Sequence, residues 1–423
     1  MKKLIFIICL SIGFASAVFS QNLNGRFSSS VYSFQRYDTV DVSGNYLRSF
    51  QMLNLNYNQG KFSLRTYMNL EGDLAKKLTN DPRLRFYNLF LEVRDIADLV
   101  TLKLGRQPLF NSVAGGVFDG LNLDLKKGDF KFTAYYGGNV PAYQKLEVTN
   151  DLSHDFVMGG RFTTVALTNF QISLSYINKN FKPESYTATR LDANLNPIQV
   201  LISNNSNQYQ FASASVDYYL KNYVAVNTRF DYDLNYDIAS KFEFDGSYDQ
   251  IKNLKLRLYY NYRAPRIRYN SIFSVFDYGN TQEVEAGADY AMNKIFTITG
   301  RYGYVKYKDD NSQRVTVGIN SNYGNVTFRK TLGYAGELSA LSFYLARSFM
   351  EGYLTPSIGL SYTEYKLSPD AETNSLSAVL AGLNIRPWRL LSFDLQGQYM
   401  NNKIYRDDYR FFLKLNYWFN TNF

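Results

Sequence analysis

The chain alternates apolar and polar residues over segments of about ten positions, and turn residues separate these segments from end to end. Between Leu254 and Arg263, leucine or tyrosine takes every second position, and lysine, arginine and asparagine take positions between them. Because side chains alternate across a strand, such a segment has one apolar and one polar face. The pattern predicts an all-β protein built from amphipathic strands.

A soluble β-sandwich and a transmembrane β-barrel both use this alternation, and strand length favours the barrel. Sandwich strands are usually about 5–6 residues long. Tyrosine and phenylalanine often lie near the strand ends here, as aromatic girdles require. Short connections such as Lys126–Gly128 alternate with long ones such as Asn178–Asn207. The sequence predicts a transmembrane antiparallel up-and-down β-barrel of about 22 strands, with about 18 as the lower bound.

The N-terminus has the features of an export signal. Lys2 and Lys3 precede a short apolar stretch, and small residues follow it. We expect cleavage after Ser20, with Ala17 as the alternative, so that residues 1–20 are a signal peptide and residues 21–423 form one barrel domain. The only cysteine, Cys9, lies in the signal peptide.

Composition excludes several classes of protein. The 423 residues include one cysteine and one histidine, too few for a zinc site, a haem site or a disulfide scaffold. We therefore expect no metal and no cofactor. The net charge of +9 comes from basic residues that alternate with apolar ones rather than cluster, which argues against nucleic-acid binding. The mean hydropathy of −0.30 fits strands with one wet face.

The final segment carries a local signal. Aromatic and leucine residues alternate from Tyr409 to Phe419, and Phe423 ends the chain in the same parity. This segment resembles the assembly signal of bacterial outer-membrane proteins, although Thr421 stands at the position third from the end, where an aromatic residue is often found. The whole pattern from residue 21 onward resembles that of the bacterial outer-membrane porins.

One short motif adds to the resemblance. Gly105-Arg106-Gln107 ends one predicted strand, and Asp119-Gly120 opens the next. Arg106 and Asp119 share the parity of outward residues, so either they lie above the bilayer or the glycines form bulges that turn them inward. A structural salt bridge and a ligand role are the two interpretations.

The resemblance implies a location in the outer membrane of a Gram-negative-type bacterium. It also implies contact with outer-membrane lipid, insertion by the barrel assembly machinery and passage of small hydrophilic solutes. A monomer and a homotrimer both fit, because subunit contacts and lipid contacts use the same apolar face.

Polar faces of the strands supply candidates for the lumen. The pore-lining candidates are Arg65, Lys103, Arg161, Arg229, Lys241, Glu243, Lys255, Arg257, Arg263, Arg301, Arg314 and Arg329. Counted strand by strand, inward basic residues outnumber acidic ones roughly two to one, which predicts a mild anion preference. Alternatively, opposite charges pair across strands and leave a compensated wall. Tyr135 and Tyr259 face inward too, as sugar-stacking surfaces or as plain wall.

We predict a channel for passive diffusion of small hydrophilic solutes. The alternatives are a substrate-selective channel for oligosaccharides or organic anions, and a non-conducting structural or assembly barrel. An enzyme is not expected, because nucleophilic catalysis usually needs a positioned histidine. The single histidine, His154, lies in a predicted loop beside Asp151 and Asp155.

Overall fold

The computed structural model describes most of the chain after the predicted signal peptide. The described residues are 21–39, 42–75, 81–109, 113–140, 146–181, 185–202, 207–276, 278–308, 310–333, 336–366, 368, 370–403 and 407–423. The expected signal peptide, residues 1–20, lies outside them.

Within these residues the chain forms 24 strands. Their bounds are β1 Gln21–Thr39, β2 Val42–Gln59, β3 Phe62–Asp73, β4 Arg83–Ile96, β5 Val100–Leu109, β6 Gly116–Lys127, β7 Phe130–Val140, β8 Phe156–Thr164, β9 Phe170–Lys179, β10 Tyr186–Leu191, β11 Pro197–Ile202, β12 Tyr209–Leu220, β13 Val224–Asp233, β14 Ile238–Ile251, β15 Leu254–Arg263, β16 Thr281–Ala291, β17 Phe296–Tyr307, β18 Asp310–Ser321, β19 Gly324–Leu332, β20 Gly336–Ala346, β21 Leu354–Lys366, β22 Asn374–Trp388, β23 Leu391–Asn402 and β24 Asp408–Asn422.

Twenty-two of the strands form one closed antiparallel sheet. Each pairs with its neighbour in the chain, β9 pairs with β12, and β1 pairs with β24 to close the ring. The two remaining strands, β10 and β11, form a separate hairpin in the connection between β9 and β12. The predicted barrel and its count of about 22 strands are confirmed.

The two faces of the sheet differ as the alternation predicts. Large apolar side chains such as Leu104, Leu174 and Phe411 are more than half exposed on one face. In a closed barrel this is the outer face, which meets lipid. Polar and charged side chains occupy most of the alternate positions, so the barrel is transmembrane with a largely polar interior.

The longest connections lie at one end of the barrel, as predicted. Turns at the other end, which holds Gln21 and Phe423, are mostly short, as between Gln59 and Phe62 or between Ile251 and Leu254. The opposite end, called here the loop end, carries the connections 141–155, 180–208 and 264–280. Two single-turn 3-10 segments, Ile272–Val275 and Met350–Gly352, lie in connections. No helix among the described residues is long and apolar enough to cross a membrane.

Candidate functional site

The inner face of the barrel carries the charged side chains proposed for the lumen. On β15 the exposed Leu256 and Leu258 face outward, so Lys255 and Arg257 face inward. The same alternation places every pore-lining candidate on the inner face: Arg65, Lys103, Arg161, Arg229, Lys241, Glu243, Lys255, Arg257, Arg263, Arg301, Arg314 and Arg329. That they line a conducting pore stays a prediction.

Many of these charges are compensated by carboxylates on the same or a nearby strand. The nitrogen–oxygen distances are 3.6 Å for Arg65–Glu92, 3.1 Å for Lys103–Asp124, 2.9 Å for Arg229–Asp231, 2.8 Å for Arg257–Asp289, 3.4 Å for Arg301–Asp289 and 2.7 Å for Arg314–Glu283, and Lys241 pairs with Glu243. This pairing favours the alternative of a compensated wall.

Two of the compensating acids are not among the inward carboxylates that the alternation predicted, which are Glu92, Asp231, Asp233, Glu243, Asp245, Glu285, Asp289 and Asp394. Asp124 pairs with Lys103, and Glu283 pairs with Arg314. The alternation contained the signal, because Asp124 lies between two outward leucines and Glu283 precedes the exposed Val284. The excess of inward basic residues is therefore smaller than two to one.

Uncompensated cations concentrate at the loop end. Lys179, Arg266 and Arg268 line a cavity of about 440 Å³, and no aspartate or glutamate is among the described residues that line it. Deeper in the barrel, Arg161 donates a hydrogen bond to the Ser173 hydroxyl at 3.0 Å. No carboxylate of the described chain forms an ion pair with Arg161. The cations of this cavity, together with Arg161, therefore carry positive charge that is not held in ion pairs within the described part of the chain.

Val113–Gly115, the residues just before β6, fold inward beside this cavity and are called here the inward turn. Val113 is 3% exposed and packs among inward apolar residues that include Phe118 and Ile177. Lys179 donates from Nζ to the Gly115 carbonyl at 3.0 Å, and Arg266 donates to the Val113 carbonyl at 2.5 Å. Because Arg266 follows β15, which lies far round the ring from β5 and β6, this contact crosses the mouth of the barrel.

The Arg106–Asp119 motif forms a salt bridge on the outward side of the sheet. The guanidinium donates twice to the carboxylate, at 2.8 and 2.7 Å, and the side chains are 7% and 10% exposed. The register of β5 and β6 continues through the pair without a shift, so no bulge turns it inward. Thr149 packs directly over Gly138, which lies opposite Asp119, so the 146–155 segment covers the pair.

Phe423 lies at the seam where the barrel closes. Its backbone N–H donates to the Gln21 carbonyl at 2.9 Å, and its side chain is 71% exposed. Below it, asparagines link β24 to β1 on the inner face, with Asn22 donating to Asn420 at 2.7 Å and to Asn422 at 2.6 Å. The assembly role of Phe423 stays a prediction.

The single histidine is in a loop, as expected. His154 Nδ1 lies 2.9 Å from the carboxylate of Asp151, and both side chains are exposed. Hydrogen bonds from Ser153 and His154 lower the pKa of Asp151. Among the residues that the structure describes, no group of three or more His, Cys, Asp or Glu is placed to hold a metal ion.

The inner face is less uniformly polar than the alternation suggested. Near the seam, Tyr32 stacks on Phe34 at 5.0 Å, and Phe34 stacks on Tyr46 at 5.4 Å. All three rings share the inward parity of their strands. Tyr135 is also inward, but it packs against Phe118 at 5.8 Å as part of the wall. Aromatic rings therefore pack on both faces of the sheet.

Comparison with known proteins finds similar structures but no sequence relatives. No protein-family model and no curated protein matches the chain. OccAB3 of Acinetobacter baumannii matches with a TM-score of 0.45 and 10% identity, over 94% of this chain and 99% of that one. OpdK of Pseudomonas aeruginosa, solved with vanillate, matches at 0.42 and 10%, over 95% and 99%.

OccK8 of Pseudomonas aeruginosa matches at a TM-score of 0.43 and 11% identity, over 95% of this chain and 98% of that one. These proteins are outer-membrane porins, the class that the sequence pattern resembles. Scores and identities this low carry no inference about function. The barrel is established by the strand pairing of the chain itself.

Proposed function

We propose that this protein is an outer-membrane channel through which small hydrophilic solutes diffuse passively, with a mild preference for anions. The closed barrel, with an apolar outer face and a largely polar inner face, supports a channel across a membrane. The export signal expected at residues 1–20 and the assembly signal at Phe423 support the outer membrane. No catalytic role is proposed for any side chain.

The cavity at the loop end is the observation that carries the anion preference. Lys179, Arg266 and Arg268 line it without a carboxylate among its described lining residues. Positive charge in a confined entrance raises the local concentration of anions and lowers that of cations. Because most wall charges deeper in the lumen are paired, the preference is weak and arises mainly at this entrance, with a smaller contribution from inward cations without an ion pair in the described chain, such as Arg161 and Arg263.

The test is the current through the purified protein in a planar bilayer under a salt gradient. We expect a steady conductance and a reversal potential on the anion-selective side. Replacing Arg161 and Arg268 with glutamine should shift the reversal potential toward cations, because two positive charges leave the lumen. Neither side chain bonds to the inward turn in the described structure, so the turn should keep its place. Absence of any current would contradict the channel and favour a structural or assembly barrel.

A matched control removes the same number of charges elsewhere. Lys252 and Lys294 lie in short turns at the opposite end of the barrel, between β14 and β15 and between β16 and β17, and both side chains are exposed. Lys252→Gln/Lys294→Gln should leave the reversal potential almost unchanged, since surface charge outside the lumen is screened by salt. An equal shift in both double variants would count against selectivity at the loop-end entrance.

A further inference from the structure

A recess in the inner wall is floored by four serines. Ser175 lies directly opposite Ser213, and Ser173 lies opposite Ser215, on the paired strands β9 and β12. All four serines lie at inward-facing positions. Because their side chains are small, they leave a hollow between the larger side chains around them. The recess has a volume of about 340 Å³, within the usual size of small-molecule sites, roughly 300–1,000 Å³.

The sides of the recess are polar and their charges balance. Gln171, Asp217 and Asn227 border it toward the short-turn end, and Arg161 borders it on β8. On the side of β13 and β14, the charge of Arg229 is offset by Asp231 at 2.9 Å, and Glu243 pairs with Lys241. Arg161 and Asp217 contribute one charge of each sign, so the lining has no strong net charge.

Several of the polar groups are free to bond a solute. The hydroxyls of Ser175, Ser213 and Ser215, and the amides of Gln171 and Asn227, form no hydrogen bond to another residue in the described part of the chain. A serine hydroxyl donates one hydrogen bond and accepts two, and a side-chain amide does both as well. The recess therefore offers donors and acceptors mixed over one concave surface.

We propose that this recess binds polyhydroxylated solutes of about the size of a disaccharide as they cross the barrel. Hydroxyl groups of such a solute both donate and accept, so they match a lining in which donors and acceptors are mixed. The proposal rests on the channel function and names a solute class for it.

Other solute classes fit the recess less well. An apolar solute would leave the serine and amide groups without partners and would displace their water, which is unfavourable. A simple anion would meet Arg161 but also the carboxylate of Asp217. The cation-lined cavity at the loop end is a separate site and suits simple anions better.

The experiment measures block of the ion current by sucrose in a planar bilayer, with a polyethylene glycol of similar mass as the non-binding probe. Sucrose should reduce the current and add noise at concentrations where the polyether does not. In Ser175→Ala/Ser213→Ala/Ser215→Ala, the half-blocking concentration of sucrose should rise about tenfold, because three hydrogen-bonding groups are lost.

A second cross-strand serine pair provides the matched control. Ser342 and Ser361 lie opposite one another on β20 and β21, across the ring from the recess, with the same inward parity. In Ser342→Ala/Ser361→Ala, the half-blocking concentration of sucrose should equal that of the wild type. Heat-dependent migration in detergent gels confirms that every variant is folded. Equal loss in both sets of variants would overturn the assignment to this recess.

Calorimetric titration of sucrose into the detergent-solubilised protein separates the two proposals. Current without sucrose block and without heat of binding overturns the recess and leaves the channel standing. Sucrose binding that depends on the three serines, in a protein that passes no current, overturns the channel and retains the recess as a saccharide site.

Discussion

The Arg106–Asp119 salt bridge is nearly buried, so each side chain depends on the other to neutralise its charge. Both groups are nearly closed off from solvent, and they bond to each other through two charge-assisted hydrogen bonds. Asp119→Ala should therefore destabilise the barrel by about 3–5 kcal/mol, because a nearly buried guanidinium loses the carboxylate that neutralises its charge. Urea unfolding in detergent, followed by tryptophan fluorescence, measures the change.

Two comparisons test whether burial is the cause. Replacing both partners, as Arg106→Met/Asp119→Leu, should recover much of the loss, since no charge is left without its partner. At an exposed turn, Lys61 lies 4.0 Å from Asp98, and the two side chains are 58% and 95% exposed. Asp98→Asn should have almost no effect, since it removes the charge and keeps a side chain that suits the positive φ of this position. A similar loss in Asp98→Asn and Asp119→Ala would contradict the argument from burial.

At the residue scale, sequence alternation predicts the direction of a side chain but not its partner. Leu256 and Leu258 were enough to place Arg257 on the inner face. Its partner, Asp289, lies on β16, one of the two strands that pair with β15. The other paired strand, β14, also carries carboxylates, but Arg257 does not bond to them. Partner choice depends on register and on the reach of long side chains, neither of which the alternation of one strand contains.

At the scale of elements, the inward turn of Val113–Gly115 is held by two cations. Arg266 bonds to the Val113 carbonyl, while Val113 itself is seated in an apolar cluster. We expect Arg266→Gln to loosen the turn, which should raise the single-channel conductance or its fluctuation. Planar-bilayer recording of single channels measures both.

Arg268 is the matched control for this turn. It lines the same cavity and has the same charge, but no hydrogen bond joins its side chain to the turn in the described structure. Arg268→Gln should change ion selectivity and leave the conductance near that of the wild type. If both variants change conductance equally, the lost charge is responsible and the hydrogen bond to the turn is not.

The inward position of Val113–Gly115 could not be predicted from the sequence alone. Strand lengths, short turns and long loops followed from alternation and from turn residues. The apolar pair Val113-Ala114 in a predicted loop was the available signal for burial. The cluster that receives Val113 comes from β6, β8, β9 and β12, so only the closed ring brings it together. The serine recess depends in the same way on the register of β9 and β12.

The last strand, β24, is expected to direct the assembly of the barrel into the membrane. β24 pairs with β1 from Asn22 and Asn422 to Ser33 and Phe411, and Phe423 follows it directly. Deleting Phe423 should lower the amount of barrel in the outer membrane several-fold while leaving the stability of refolded protein nearly unchanged. Fractionation of expressing cells and refolding in detergent measure the two. A large loss of refolded stability would assign Phe423 to the fold itself.

At the scale of the whole molecule, the closed ring of 22 strands separates the alternating residues into an apolar outer face and a largely polar inner face. Every strand contributes to both, so the reversal of one inward charge is felt by ions that cross the entire barrel. Charge reversal at a cation with an ion-pair partner and at one without should then shift the reversal potential by different amounts. Arg257 is 2.8 Å from Asp289, whereas no carboxylate among the described residues forms an ion pair with Arg263.

Charge reversal on β15 tests the lumen as a whole. Arg263→Glu should shift the reversal potential clearly toward cations. Arg257→Glu should shift it less, because Arg301, which already lies 3.4 Å from Asp289, offsets part of the negative charge gathered there. Lys252→Glu, in the adjoining turn, controls for charge outside the lumen. An unchanged potential in Arg263→Glu would contradict the placement of the polar face of β15 in the path of ions.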